Sequence, residues 1–595
     1  MKELKPLLLL QIFTLLPSVV FLVFYAQFTP FSLLIVALLF IFMFLNIRHY
    51  VNKQKLSSVL ILLSILGSFM LYGFSGLGSN TAPQTFETLY AQESVTHFEL
   101  QTPSPIDKVC FYTGIDYNSF SFEYYNAKRW KNFYSYRRDY PYSFRWNCKK
   151  VRVKKTSQIL LRPAEHAQLQ WSTDNDLMLG EIRFSYKGKP VPYRSSRTHF
   201  NDEPETSIDQ SYYGGGVFDE IYFARTAYEI LHHLPIYENT HPYLGKHLVG
   251  LGIQTFGMTP FGWRFTNILF ATLLVFMLYL MGLRLFKTPF YALFASFLMT
   301  YSFMHLTQSR LALIDTFGVS FVFISYYFLY RFIEEQKLRK LLGSGLFFGL
   351  AVSIKWSAVF AVVGFVLIAA YLLLSRYPLR KTFAGYKLLL YGLLSYGVLA
   401  PTVYLLSFFD IFMHGGTLQS VIDYNTNMYQ YHSTLVATHP YASPWWSWPL
   451  NLKPMAYYQA PAGDLVRSLN AFGNPAIFWL GMVAMLFVAV TFIRTRSLAS
   501  AFILFAFVGL YLPYVFVGRL MFIYHFYYAL PFVVLALVFM LQSMHQKYKH
   551  TLALLFFYLG VVAGLFLLFY PVISGYAVSQ SYIDSYLVWL PKWWF

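Results

Sequence analysis

The run Gly262-Trp263-Arg264-Phe265-Thr266-Asn267-Ile268-Leu269-Phe270-Ala271-Thr272-Leu273-Leu274-Val275-Phe276-Met277-Leu278-Tyr279-Leu280-Met281-Gly282-Leu283 carries one charge, Arg264, near its start and none after it. About 20 such residues wound as a helix cross the hydrocarbon of a bilayer. The run has company. Comparable stretches lie near 7–25, 31–46, 57–78, 289–306, 311–330, 341–354, 358–375, 388–406, 476–493, 498–517, 523–542 and 551–570, which makes thirteen expected spans. The chain of 595 residues is 56% hydrophobic and only 12% charged, where a soluble protein carries roughly a quarter of charged residues. A polytopic α-helical membrane protein is the fold class this composition dictates. Its 21% aromatic content suits side chains that settle at membrane interfaces and against lipid.

Charge divides the chain further. Residues 80–216 hold 18 of the 46 basic and 15 of the 27 acidic residues, so this stretch is a soluble domain inserted between membrane segments. Outside it, short basic clusters alternate with apolar runs: Lys2/Lys5, Arg48 to Lys55, Arg284/Lys287, Arg331 to Lys340, Arg376 to Lys387, Arg494/Arg496 and Lys547/Lys549, joined only by the acids Glu3, Glu334 and Glu335. The positive-inside rule puts these on the cytoplasmic side of a cell membrane, with the N-terminus inside and the insert and C-terminus outside. The net charge of +19 is thereby explained by topology, and nucleic acid is not an expected partner. The first apolar run is followed at once by a second and by no small-residue cleavage site, so it reads as a retained helix.

The expected organisation is three spans in 1–79, an extracytoplasmic β-domain in 80–216, a catalytic external loop in 217–261, a membrane bundle in 262–406, an external loop in 407–475, and a four-span region with an external tail in 476–595. In the insert, segments such as Lys108 to Tyr112, Ser119 to Tyr125, Trp130 to Tyr136, Val151 to Val153, Ile159 to Leu161, Ala167 to Trp171 and Glu181 to Tyr186 alternate in the strand manner. Turn residues at Gly114, Asp174-Asn175-Asp176 and Gly188 separate them. About seven short strands predict an antiparallel, jelly-roll-like β-sandwich, and Trp130, Tyr134 and Tyr136 read as exposed aromatics of the kind that stack on carbohydrate. Cys110 and Cys148, the two cysteines of the chain, both fall here, where oxidation is permitted. A bridge and two buried thiols both fit.

The chemistry concentrates after the insert. Phe218-Asp219-Glu220-Ile221 is followed by His241-Pro242-Tyr243-Leu244-Gly245-Lys246 and by Gly262-Trp263-Arg264. A carboxylate that takes a proton from an alcohol needs a partly desolvated setting, and cations nearby stabilise a departing phosphate as its charge develops. Charges at the outer face of the membrane also suit an anionic lipid headgroup. Trp445-Trp446-Ser447-Trp448 reads as an interfacial belt or a sugar platform. Arg310 and Asp315, a little over one helical turn apart, read as an ion pair or as site residues.

Taken in order, these motifs resemble the protein O-mannosyltransferase family of the GT-C glycosyltransferases. That family carries an Asp-Glu pair in its first external loop and then His-Pro-Pro-Leu-Gly-Lys, beside Asp219-Glu220 and His241 to Lys246 here. Ser309-Arg310-Leu311-Ala312-Leu313-Ile314-Asp315, Gly349 to Trp356 with Lys355, His439-Pro440-Tyr441-Ala442-Ser443-Pro444-Trp445-Trp446-Ser447-Trp448 and Arg519-Leu520-Met521-Phe522-Ile523-Tyr524-His525 continue the resemblance over about 216–570. Tyr243 departs from the family's second proline. The MIR β-trefoil of eukaryotic members is missing from 407–475, and the hairpin 7–46 and the β-domain are additions, which marks a prokaryotic-type member.

The resemblance implies inverting transfer of mannose, or a similar sugar, from a polyprenyl phosphate sugar to Ser/Thr hydroxyls of exported proteins. Asp219 would be the general base and Glu220 would orient the loop. Arg264, with Lys246, Arg310 and Lys355, would bind the donor phosphate. His241, Asp315, His439, Trp446, Arg519 and His525 are the candidate substrate-binding residues. No cofactor or metal-ligand cluster is expected, although His241 or His525 beside a carboxylate offers a divalent cation a place. A cell-wall polymer or a glycolipid as acceptor is the alternative. A lipid or sugar transporter fits less well, because its polar residues would sit at mid-membrane in paired broken helices, whereas these charges crowd one face.

Overall fold

The computed structural model describes residues 4–25, 41, 54–89, 95–116, 119–136, 143–163, 177–375 and 377–595. Within them the chain forms two compact units, one of Met1–Gly76, Glu238–Leu248 and Phe265–Phe595, the other of Leu77–Tyr237 and Val249–Arg264. The second unit thus takes in residues on both sides of 80–216, including the first residues of the helix Pro260–Phe286.

The first unit is helical. Ten helices among the described residues are long and apolar enough to cross a membrane: Pro6–Phe24, Leu56–Phe74, Pro260–Phe286, Asp315–Glu335, Trp356–Leu374, Tyr386–Leu406, Pro475–Thr495, Leu498–Phe516, Leu530–Lys547 and Leu552–Ser574. The expected span 31–46 lies outside the described residues. Two other expected spans are not single helices of spanning length. The stretch 289–306 breaks into the helices Pro289–Thr300 and Phe303–Ser309, and 341–354 is the 15-residue helix Leu338–Val352.

Burial sorts these helices. Some 89% of the apolar window of Asp315–Glu335 is buried, against 17% for Tyr386–Leu406, so the first is central and the second turns its apolar side chains outward to lipid. Polar side chains tie the apolar helices together: Ser18 Oγ donates to Ser68 Oγ at 2.9 Å and lies 2.9 Å from the Tyr72 hydroxyl, which meets that of Tyr301 at 3.1 Å. Where Ala361–Leu374 crosses Leu498–Tyr511, a Cβ on Gly509 would lie 2.3 Å from the Gly364 nitrogen, so only glycine allows that approach.

The expected external loop 407–475 is ordered. It holds the helix Leu418–Thr434, opened by a Thr417/Ser420 capping box, and the hairpin Met455–Ala462/Leu465–Ala471. The C-terminal tail is also ordered. Trp593, expected as an interface anchor, is fully buried, packs on Phe472 and Phe569, and donates from Nε1 to the Asn451 carbonyl at 2.8 Å.

The second unit is built on strands β1 (Glu87–Leu89), β2 (Thr96–Asp116), β3 (Phe120–Tyr125), β4 (Trp130–Tyr136), β5 (Arg145–Pro163), β6 (Leu177–Tyr186), β7 (Lys189–Val191) and β8 (Tyr193–Ser195). All belong to one antiparallel sheet, in the order β1-β6-β2-β5-β3-β4, with β7 beside β6 and β8 beside β2. This corrects the expectation of two separate sheets. β2 and β5 are single long strands, and register shifts between Glu99 and Lys108 are bulges that bend them. The sheet curls on itself. Phe122 on β3 and Phe184 on β6 are three strand steps apart, about 14 Å across a flat sheet, yet their rings are 5.9 Å apart. They enclose one aromatic core with Phe98, Phe111, Tyr193 and Phe200.

Tyr134 and Tyr136 pack against that core, and Trp130 lies against Tyr125 and His97, so these rings are committed to the sheet rather than held out for a sugar. Cys110 and Cys148 face each other across β2 and β5 and are bridged. The expected strand 167–171 lies outside the described residues.

Candidate active site

In the second unit the chain enters the helix Glu220–Leu231 through a tight turn. Phe218 adopts a left-handed φ of 50°, and Val217 N donates to Glu220 Oε2 at 3.0 Å. Glu220 and Arg264 are both fully buried and form a two-pronged pair, Nε to Oε1 at 2.7 Å and Nη2 to Oε2 at 2.6 Å. The other guanidinium donors go to the carbonyls of Leu77 and Tyr212, each at 2.8 Å, and Gly215 at 3.0 Å. All five N–H groups of Arg264 are thereby used.

Arg264, expected at the donor phosphate, has neither an exposed face nor a spare donor here. It pins the turn from which Asp219 emerges. Asp219 is half-buried at the start of that helix, and its side chain does not cap the helix N–H groups. Behind it, Arg225 and Glu229 form a second fully buried pair at 2.7 Å. Burial raises the Glu229 carboxyl above its ordinary range even with Arg225 opposing.

In the first unit the segment His241 to Lys246 wraps around Glu238. Lys246 is fully buried. Its ammonium donates to the carbonyls of Glu238 (2.6 Å) and His241 (2.9 Å) and to the Tyr424 hydroxyl (3.1 Å), and pairs with Glu238 Oε2 at 2.6 Å. Burial alone would raise Glu238, but Lys246 and His241 outweigh it and hold the carboxyl well below its usual range. Lys246, also expected at the phosphate, is fully engaged in clamping this loop. Gly245 is required here, since a Cβ would lie 2.7 Å from Ile314 Cγ2. Tyr243, the departure from the family motif, is buried against Phe408 and Tyr424.

Arg310 is likewise structural. Its guanidinium collects the carbonyls of Tyr72, Gly73, Ser75, Gly76 and Ser574 at 2.8–3.1 Å, four of them at the C-terminal end of the helix Gln54–Phe74, where orphan carbonyls need donors. It does not pair with Asp315. Asp315 pairs with Lys355, at 3.0 and 3.1 Å.

Lys355 lies 5.6 Å over the Tyr524 ring and acts electrostatically on His241, His432 and His525. Arg519 donates to His432 Nδ1, and His432 Nε2 donates to the Thr240 carbonyl at 2.8 Å. Burial depresses all three histidines, His432 to about 4 and His525 to about 3. They are neutral at pH 7, so the positive charge of this neighbourhood belongs to Lys355 and Arg519, both partly exposed.

His525 stacks on Trp448 at 5.7 Å and Tyr524 at 4.6 Å, and His439 reaches the same wall through Phe522. Of the three tryptophans in 445–448, only Trp446 is exposed. Among the described residues no group of three or more metal-ligating side chains converges. Glu238, Tyr424 and His432 were missed from sequence. The signal lay in the inward row Val421, Tyr424, Asn425, Met428 and His432 on the helix Leu418–Thr434, which repeats at helical spacing.

The helical unit is that of a GT-C membrane glycosyltransferase. Residues 240–404 match the family described as dolichyl-phosphate-mannose-protein mannosyltransferase, and 417–593 match the C-terminal four-membrane-segment region of protein O-mannosyltransferase. The chain belongs to the protein O-mannosyltransferase family. It is 25% identical over 423 residues to a polyprenol-phosphate-mannose–protein mannosyltransferase of Corynebacterium glutamicum, covering 59% of this chain and 81% of that one. A protein of the same name from Mycolicibacterium smegmatis is 24% identical over 456 residues, covering 64% and 88%. The fold is also similar to that of the S. cerevisiae protein O-mannosyltransferase complex bound to the sugar donor, with TM-score 0.57 and 14% identity, over 64% of this chain and 89% of that one.

Proposed function

We propose that this protein transfers mannose from a polyprenyl phosphate mannose to Ser or Thr hydroxyls of exported proteins. Family membership and the names of the curated relatives support the reaction. What carries the residue assignment is the contrast between saturated cations, which hold loops, and those with exposure left. In this reading the Asp219 carboxylate takes the proton of the acceptor hydroxyl. The hydroxyl oxygen forms a bond to the anomeric carbon from the face opposite the phosphate, with inversion, and the bond from that carbon to the phosphate oxygen breaks. The polyprenyl phosphate leaves with the bond's electron pair, its charge met by Lys355 and Arg519.

Asp315 aims Lys355, and His241, His439, Trp446 and His525 serve the sugar and acceptor. Glu220 and Arg264 hold the turn that carries Asp219. The distribution of basic clusters supports an orientation with the N-terminus cytoplasmic and Asp219 outside, in the cell membrane.

The test is transfer from a synthetic polyprenyl phosphate mannose to a Ser/Thr peptide by the purified protein in lipid. Asp219→Asn keeps the shape and removes the base, so turnover is expected to fall roughly 10²- to 10⁴-fold with folding intact. A folded Asp219→Asn protein turning over at the wild-type rate overturns the base assignment.

A further inference from the structure

The soluble unit carries nearly balanced charge, yet β5 does not. Its 19 residues hold Arg145, Lys149, Lys150, Arg152, Lys154, Lys155 and Arg162 and no acid. Val151 and Val153 face the core, so Lys150, Arg152 and Lys154 share the opposite face, and all three are exposed. Lys150 sits directly across the ladder from Lys108, also exposed. Like charges so placed repel and cost stability. On the other side of β2, Lys108 faces Ser185, and the turn after β6 adds exposed Lys187. Among the described residues, none of Lys108, Lys150, Arg152, Lys154 and Lys187 has a carboxylate within 4.0 Å in an ion pair. The Asp107 carboxylate, the nearest acid in sequence, accepts from the Lys187 backbone N–H at 2.6 Å.

A sheet that gathers cations into one row, with no ion-pair partner among the described residues, stores a repulsion that an anion relieves. Lys150, Arg152 and Lys154 repeat every second residue, about 7 Å apart along the strand, which suits an extended chain with one charge per repeat. Four of the five cations are lysines, compact point charges that meet a tetrahedral phosphate from any side. A membrane-adsorbing surface would add apolar side chains that insert, but the only large apolar side chain exposed on β2, β5 or β6, among the described residues, is Tyr186.

We propose that the outward face of β6, β2 and β5 binds a linear phosphodiester polymer, as a site separate from that of the transfer reaction.

The full-length protein in neutral-lipid nanodiscs is titrated with fluorescent synthetic poly(glycerol phosphate), beside polyglutamate of equal charge and vesicles containing phosphatidylglycerol. Wild-type protein is expected to bind the phosphate polymer, less tightly as salt rises. The variant Lys108→Gln/Lys150→Gln/Arg152→Gln/Lys154→Gln should bind at least tenfold more weakly while its melting temperature stays at or above that of the wild type, as relief of the repulsion requires, and its transfer to a short peptide is kept. Equal binding by both proteins overturns the proposal. So does tighter binding of polyglutamate, or a loss confined to vesicle binding, which would make the face an acidic-peptide or a membrane surface.

Discussion

Two acid–base pairs in this protein look alike in sequence and differ in the structure. Glu220 and Arg264 are wholly buried, and the arginine spends every donor within the fold. Asp315 and Lys355 keep 9% and 17% of their side-chain surface, and the lysine's two hydrogen bonds go to that one carboxylate. A buried pair is tolerable only when its remaining valences are met, so full saturation marks a structural cation. A cation with surface left can still reward a ligand. The same criterion places Lys246 with Arg264, and Arg519 with Lys355, whereas Arg310 is held by five carbonyls on its two terminal nitrogens.

The widest separation between the pairs should appear on truncation. Arg264→Ala leaves Glu220 buried without a partner, which costs about 3–5 kcal/mol. The expected result is a large fall in melting temperature, with activity lost in proportion to folded protein. If Arg264→Ala melts as the wild type does but no longer binds donor, the two pairs have been assigned the wrong way round.

Lys355→Ala should do the opposite. A charge-assisted contact to phosphate contributes about 1.5–3 kcal/mol, so use of the polyprenyl phosphate mannose should drop roughly tenfold to over a hundredfold, while the melting temperature falls less than in Arg264→Ala, because Asp315 keeps some contact with solvent where Glu220 has none. Steady-state kinetics with varied donor make the comparison. Unchanged kinetics would remove Lys355 from the phosphate.

How far the sequence discloses this difference follows from where the partners lie. The spans, the inserted domain and the motif segments are legible because hydropathy and charge clusters are local. Saturation is not local: Arg264 is completed by carbonyls 49 to 187 residues away, and Arg310 by a helix end some 235 residues upstream. The long strands of the β-domain escape for a related reason. Pro103 and Pro105 interrupt the pattern of β2, and Thr156-Ser157-Gln158 splits β5 into two apparent strands, yet bulges carry both chains through. Trp593 resembles an interface anchor until its partner Asn451 is seen.

The finest distinction is between Arg519 and the fully saturated Arg264, and it turns on His432. This histidine, neutral at pH 7, accepts from Arg519 at Nδ1 and donates to Thr240 from Nε2. Burial first, then the charges of His241, Arg519 and Lys355, lower its pKa to about 4, from about 6.5 in an unfolded chain. Between these values the unfolded chain binds more protons than the folded one, so stability rises with pH across the window. The contribution is complete above about pH 6.5 and is lost as pH falls toward 4. His432→Gln removes this titration but leaves those of His241 and His525, whose depressed pKa values act with the same sign. The melting temperature of the wild type should therefore fall more between pH 7.5 and 5 than that of His432→Gln, and a residual slope should persist in the variant. Parallel curves would mean that His432 titrates as it does in water, and that Arg519 is not held by a neutral imidazole.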